Sequence, residues 1–176
     1  PYCRLNRVMR DIPADYIVAG TKKSNLRQMV QQRMEKEGLQ CRCVRCREIR
    51  GRSTPESIEA VRLEPVVYET DATQEQFLQF LTPGDRLAGF LRLSLPKTAR
   101  DELPIPEIRT AAMVREVHVY GPAQALGERR RGGQHHGLGT ELLDIAAQRA
   151  RGAGFDALAV IAAVGTRRYY RERGFT

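Results

Sequence analysis

Apolar residues follow two different rhythms along this chain, one in its first third and another after it. Leu26, Met29, Val30 and Met34 recur at the spacing of one helix face, with Ser24 placed to cap that helix and Gly38 to end it. The cluster Gly51-Arg52-Ser53-Thr54-Pro55 breaks the pattern with turn-forming residues, so a module boundary falls there, giving a module 1–52 and a domain 53–176. Beyond it, Val61–Tyr68 reads as a strand that Pro65, lacking an N–H, confines to an edge or a bulge. Thr73 and Gln76 form a capping-box pattern ahead of Phe77, Leu78 and Leu81, which predicts a short helix. Leu87, Gly89, Leu91, Leu93 and Leu95 alternate with their neighbours and predict a strand with one buried face.

The segment Lys97 to Thr110 holds Pro104 and Pro106 without periodicity and reads as loop. A strand from Met113 to Tyr120 and a Gly/Arg-rich loop from Gly121 to Gly133 follow. Next come a helix from Gly137 to about Arg151 with Leu138, Leu142, Leu143 and Ile145 inward, a buried strand at Ala157 to Ala162, and a helix from Thr166 to Arg173. That order is an α/β crossover unit behind an antiparallel, hairpin-like start.

Composition narrows the classes. Of the 176 residues, 41% are hydrophobic, enough for a packed core, yet no apolar run approaches the roughly 20 residues of a membrane-spanning helix. No basic segment leads into an apolar stretch at the start, so a cytosolic setting is expected. The chain opens at Pro1 and stops at Gly174-Phe175-Thr176, where a core strand is expected next, so it reads as a piece of something larger that lacks its closing strands. Net charge is +8, and all but four of the 29 basic residues are arginines, whose planar forks suit phosphate. Nucleic acid is one reading, and an arginine-rich surface from a thermophilic or GC-rich source is the other. Clustering of Arg7, Arg10, Lys22, Lys23, Arg27, Arg42, Arg45 and Arg47 in the first third favours RNA phosphates.

Chemistry concentrates at Gln134-His135-His136-Gly137-Leu138-Gly139, between a strand and a helix. Glycines there let backbone N–H groups approach a phosphate, and the helix directs its positive end at the same point. A glycine-bearing turn of this kind also occurs for packing or for a dinucleotide. The pattern resembles the acetyl-CoA pyrophosphate loop of GNAT acetyltransferases, and Gly165-Thr166-Arg167-Arg168-Tyr169-Tyr170-Arg171 resembles the last motif of that family. The resemblance implies a GNAT-type mixed sheet, an α/β (α+β) fold with crossover helices. Its cofactor contacts fall on Glu116, Val117, His118 and Val119 of the strand, on Gln134, Gly137, Leu138, Gly139 and Thr140 of the cradle, and on Tyr170. Adjacent helical residues cannot share a face; the resemblance assigns Tyr170 to the coenzyme, where a phenol can protonate or hydrogen-bond the leaving thiolate, and leaves Tyr169 to the core.

Arg115-Glu116-Val117-His118-Val119-Tyr120-Gly121 makes the resemblance narrower, as do Arg7–Pro13, Ser24–Arg27 and Cys41–Glu48. Together they are similar to the acetyltransferase domain and preceding linker of the catalytic subunit of Elongator. That resemblance implies cleavage of acetyl-CoA to deliver a two-carbon unit to carbon 5 of the wobble uridine of tRNA, forming 5-carboxymethyluridine. It also implies a radical-SAM domain elsewhere in the whole protein, with a [4Fe–4S] cluster and S-adenosylmethionine. The piece alone is not expected to complete that reaction. Two further readings remain open, a GNAT enzyme acetylating a protein lysine and a non-catalytic zinc-stapled RNA-binding module. Oligomeric state is left open too.

Cys41, Cys43 and Cys46 bring three thiols into one turn-rich loop, and Cys3 could fold back as the fourth ligand of a closed tetrahedral zinc site. An iron–sulfur cluster or free thiols are the alternatives. Glu116, at period two from His118, is a candidate general base, against a structural or cofactor-facing role. His135 and His136 read as solvated or phosphate-contacting, and the loop holding Arg129, Arg130 and Arg131 as a cover for the cleft.

Overall fold

The computed structural model describes residues 1–5, 13–23, 25–49, 60–98, 104–120 and 137–176. The boundary cluster 51–55, the loop 121–133 and the residues Ser24, Arg7, Arg10, Gln134, His135 and His136 lie outside that set. Two compact units are present, Pro1–Glu48 and Ile49–Thr176.

The first unit holds helix α1 (Leu26–Lys36) and a single-turn helix α2 (Val44–Arg47). Gly38 ends α1 as its sequence position predicts. It adopts φ +69, open to glycine at no steric cost, while its N–H and that of Leu39 bond back to Glu35 and Met34 carbonyls at 3.1 and 2.7 Å.

The second unit is a five-stranded sheet of β1 (Arg62–Glu69), β2 (Thr73–Leu81), β3 (Leu87–Pro96), β4 (Ala112–Val119) and β5 (Leu158–Val160), in that spatial order. The first four strands pair antiparallel, and β5 joins β4 in parallel through the crossover helix α3 (Leu138–Gly152). Pro65 sits in β1, an edge strand, where its missing N–H is tolerated.

The predicted helix at Thr73–Leu81 is instead β2. Both faces of this central strand are buried, Leu78 and Phe80 on one and Phe77, Gln79 and Leu81 on the other, so its apolar run lacks the alternation of a one-sided strand. Thr73 does not cap a helix. It closes the β1–β2 turn, its N–H donating to Thr70 Oγ1 at 3.0 Å and its carbonyl accepting from Thr70 N–H at 2.8 Å.

On one face Leu78, Phe80, Leu91, Leu93, Ala112 and Val114 pack against Leu138, Leu142, Leu143, Ala146 and Ala150 of α3. Leu142 is fully buried at the middle of that contact. Leu142→Ala should cost about 2–5 kcal/mol, read as a lower urea midpoint at unchanged m-value. Along β4 the register with β3 slips: Leu93 faces Val114 but Arg92 faces Glu116, so Arg115 is bulged out between them. Helix α4 (Arg167–Arg171), preceded by a short 3-10 turn at Val164–Thr166, closes the described chain.

Candidate active site and cysteine centre

Cross-strand pairing decides which β4 side chains look which way. Val117 shares a face with Leu91 and Val114, toward α3, whereas Glu116 and His118 stand opposite Arg92 and Phe90 on the other face. There Arg92 Nε donates to Glu116 Oε2 at 2.8 Å, and His118 Nε2 lies 2.9 Å from Glu116 Oε1. The Arg92 guanidinium sits over the Phe77 and Phe90 rings, 4.9 and 5.5 Å from their centroids. His118 stacks on Tyr120, with interplanar angle 13°. Glu116, the candidate base, is therefore engaged at both oxygens. The sequence reading missed Arg92, although its place between leucines on β3 already set it on the face away from the aliphatic one.

Pairing of β5 with β4 runs from Ala112↔Leu158 to Val114↔Val160, and Ile161 N–H adds a bond to the Val114 carbonyl at 3.2 Å. From Arg115 onward the described residues set no strand against that edge of β4. By alternation, the main-chain groups of Val117 and Val119 point into the opening.

Helix α3 begins beside it. Gly137 is the N-cap, and a glycine brings no side-chain acceptor, so among the described residues no cap side chain covers the first-turn N–H groups of Leu138, Gly139 and Thr140 at the positive helix end. A Cβ at Gly139 would need the space held by the Tyr169 hydroxyl, and would touch Val119 Cγ2 at 3.5 Å. Arg173 locks this packing. Its guanidinium lies 3.6 Å from the Tyr169 ring centroid, and it donates to Thr140 Oγ1 at 2.9 Å and to the Tyr169 carbonyl at 2.7 Å. Nothing in the sequence singled out Arg173, since only the folded turn brings it onto α3.

The two tyrosine rings are edge-on at 88°, as adjacent helical positions require. Tyr169 reaches the cradle glycine. Tyr170 lies against Phe175 and lines a cavity of about 320 Å³ with Val160, Ala162, Arg167 and Arg171. Burial, with Tyr169 beside it, pushes the Tyr170 phenol above its ordinary pKa, so it holds its proton.

In the first unit the sulfurs of Cys41, Cys43 and Cys46 lie within 4.8 Å of one another. Thiolates bonded tetrahedrally to one zinc at about 2.3 Å are separated by about 3.8 Å, so the three fit such an ion with small side-chain adjustment. Burial of Cys43 works against its thiolate, yet hydrogen bonds involving Leu5, Cys46 and Cys41 outweigh it and bring the thiol down to about 7. Cys3 is exposed and stands outside the group, but its carbonyl accepts from Val44 N–H at 2.9 Å, which ties its backbone to the cysteine loop.

The basic candidates divide. Lys22, Lys23 and Arg42 are exposed and Arg45 is half-buried. Arg47 is buried, donating to the carbonyls of Arg42 and Pro1 at 3.1 and 3.0 Å. Arg27 turns inward as well, to the Leu5 carbonyl at 3.3 Å and the Cys46 sulfur at 3.5 Å.

No family model matches the chain. Individual proteins do, under the names tRNA uridine(34) acetyltransferase and Elongator complex protein 3. Over 179 residues, 99% of its length, the chain is 42% identical to the tRNA uridine(34) acetyltransferase of Dehalococcoides mccartyi strain CBDB1. It is 37% identical over 184 residues to Elongator complex protein 3 of Dictyostelium discoideum. It spans 39% and 32% of those two proteins. The solved archaeal Methanocaldococcus infernus Elp3 with an amino-terminal deletion matches 97% of this chain with 41% of its own, at TM-score 0.76 and 37% identity. The chain is thus a homologue, along nearly its whole length, of part of the tRNA uridine(34) acetyltransferase and Elongator complex protein 3 family. Among the described residues no helix is long and apolar enough to cross a membrane.

Proposed function

We propose that this chain is the acetyl-CoA-binding and thioester-cleaving part of a tRNA wobble-uridine (U34) modifying enzyme that forms 5-carboxymethyluridine. The observation that carries this reading is the start of α3. Its side-chain-free N-cap at Gly137, with Gly139 closed over by Tyr169, lies beside the β4 edge left open past Val114. A diphosphate held by the first-turn N–H groups leaves its pantetheine arm within reach of the Val117 and Val119 main chain, as an added strand would be. Leu138, Gly139 and Thr140 then hold the anion, and Tyr170 donates its phenolic proton toward the departing sulfur. Homology to proteins named as tRNA acetyltransferases supports tRNA as the partner. Lys22, Lys23, Arg42 and Arg45 are the surface cations suited to its phosphates. The cysteine centre, with zinc bound, would staple the first unit, Cys41, Cys43 and Cys46 supplying three ligands and Cys3, whose backbone is tied to the loop, being the candidate fourth.

The test is tRNA-stimulated acetyl-CoA hydrolysis by the full-length protein. Wild-type protein should release coenzyme A faster when tRNA is added, and Tyr170→Phe should lower that rate by about 10²-fold, the usual worth of one positioned proton donor. A wild-type rate indifferent to tRNA would reject the reading, and an unaltered rate in Tyr170→Phe would remove Tyr170 from the chemistry.

A further inference from the structure

We propose that His118 is the general base that activates water against the acetyl thioester, with Glu116 and Arg92 as the residues that position it. This inference rests on the acetyl-CoA reading and adds the nucleophile's side of the reaction.

The argument begins with faces. Val119 lies toward the Gly139 turn, so the α3 side of β4 meets the anion cradle. Glu116 and His118 stand on the opposite side of the same strand, next to Arg92 and Phe90. A thioester entering the opening between β4 and β5 from the cradle side offers its carbonyl carbon at the strand edge. Water must then approach from the side that the coenzyme does not fill, where the His118 side chain is 48% exposed.

Hydrogen bonding fixes the imidazole's tautomer. Arg92 Nε donates to Glu116 Oε2 at 2.8 Å, and the planar guanidinium is held over two aromatic rings, so the carboxylate is fixed in place. Its other oxygen, 2.9 Å from His118 Nε2, accepts the Nε2 proton and leaves the lone pair on Nδ1. Stacking on Tyr120 and contact with Phe90, at centroid distances of 6.2 and 5.2 Å, limit rotation of the ring. A carboxylate orienting an imidazole whose far nitrogen is open to water is the arrangement of a hydrolytic base.

In the step itself, Nδ1 takes a proton from water as the water oxygen bonds to the thioester carbon. The tetrahedral adduct collapses with cleavage of the C–S bond. The thiolate leaves with the electron pair and is protonated by the imidazolium, directly or through Tyr170, and the acetic acid formed releases its proton to solvent, giving acetate and coenzyme A. No oxidant or reductant enters. Among the described residues the charged or titratable groups facing His118 are Glu116 of its own strand, Tyr120 just past the end of that strand, and Arg92 of β3.

The experiment measures thiol release by the full-length protein with tRNA between about pH 5 and 9, the span that contains imidazole titration. It is paired with calorimetric binding of a non-hydrolysable thioether analogue of acetyl-CoA. Wild type should show one ascending limb. His118→Gln should lose at least about 10²-fold in rate together with that limb, at unchanged affinity for the analogue. Glu116→Gln should lower the rate several-fold at unchanged affinity for the analogue, because an amide no longer fixes the tautomer with its proton on Nε2. If the trio merely ties β3 to β4, Glu116→Gln changes the unfolding midpoint and leaves the rate where it was. A His118→Gln rate within a few-fold of wild type, or an unchanged rate in Glu116→Gln, overturns the assignment. Failure of wild type to bind the analogue would overturn the acetyl-CoA reading, and the base with it.

Discussion

Cys43→Ser should leave the first unit without metal and without its fold. The three thiols of that unit are already gathered within 4.8 Å, and among the described residues few side chains of the unit are buried around them. Helix α1 has no buried residue and α2 is four residues long, so neither is stable by its own packing. Zinc held by thiolates supplies about 10–16 kcal/mol in small metal modules, far more than the buried side chains of Cys43 and Val44 return. The measurement is one zinc per chain by elemental analysis in wild type, none in the variant, with loss of helical circular dichroism confined to what 1–48 contributes. Chelation of the wild type should give the same spectrum. A Cys43→Ser protein that keeps zinc and spectrum would show that the triad is not the centre.

Gly139→Ala should cost acetyl-CoA affinity while leaving the sheet intact. The added methyl group claims the volume of the Tyr169 hydroxyl, and that ring cannot retreat freely, because Arg173 covers its other face at 3.6 Å and is itself bonded to Thr140. The strain passes into the first turn of α3 or displaces α4, and overpacking of this kind costs about 1–3 kcal/mol, which felt in full by binding is about 5- to 150-fold. Removing the oxygen relieves it. The double variant Gly139→Ala, Tyr169→Phe should recover most of the loss, and calorimetry with the thioether analogue reads all three proteins. Equal affinities in wild type and Gly139→Ala would show that this turn does not hold the coenzyme.

Much of the fold is legible along the chain because one-sided elements advertise their period. The leucines of β3 alternate, α3 carries its apolar stripe, and Gly38 and Gly154 fall where helices end. The strand β2 was hidden by burial on both faces, which erases alternation and leaves a run that also fits a helix, with Thr73 and Gln76 imitating a cap. At the site, Gly137, Gly139 and the tyrosine pair were visible as short motifs. Arg92 and Arg173 were not, because each acts through a partner far off in sequence, Glu116 in one case and Thr140 in the other. Likewise Arg27 and Arg47 look like surface cations until the folded cysteine loop gives their guanidinium groups carbonyls and a sulfur to bond.

The slip at Arg115 makes the site depend on counting as well as on chemistry. Were Arg115 instead paired as a regular strand residue, strict alternation would turn Glu116 and His118 inward among the aliphatic side chains under α3 and send Val117 and Val119 out to the polar side. The bulge at Arg115 thus sorts the side chains of β4, holding Val117 and Val119 toward α3 and Glu116 and His118 toward Arg92 and Phe90.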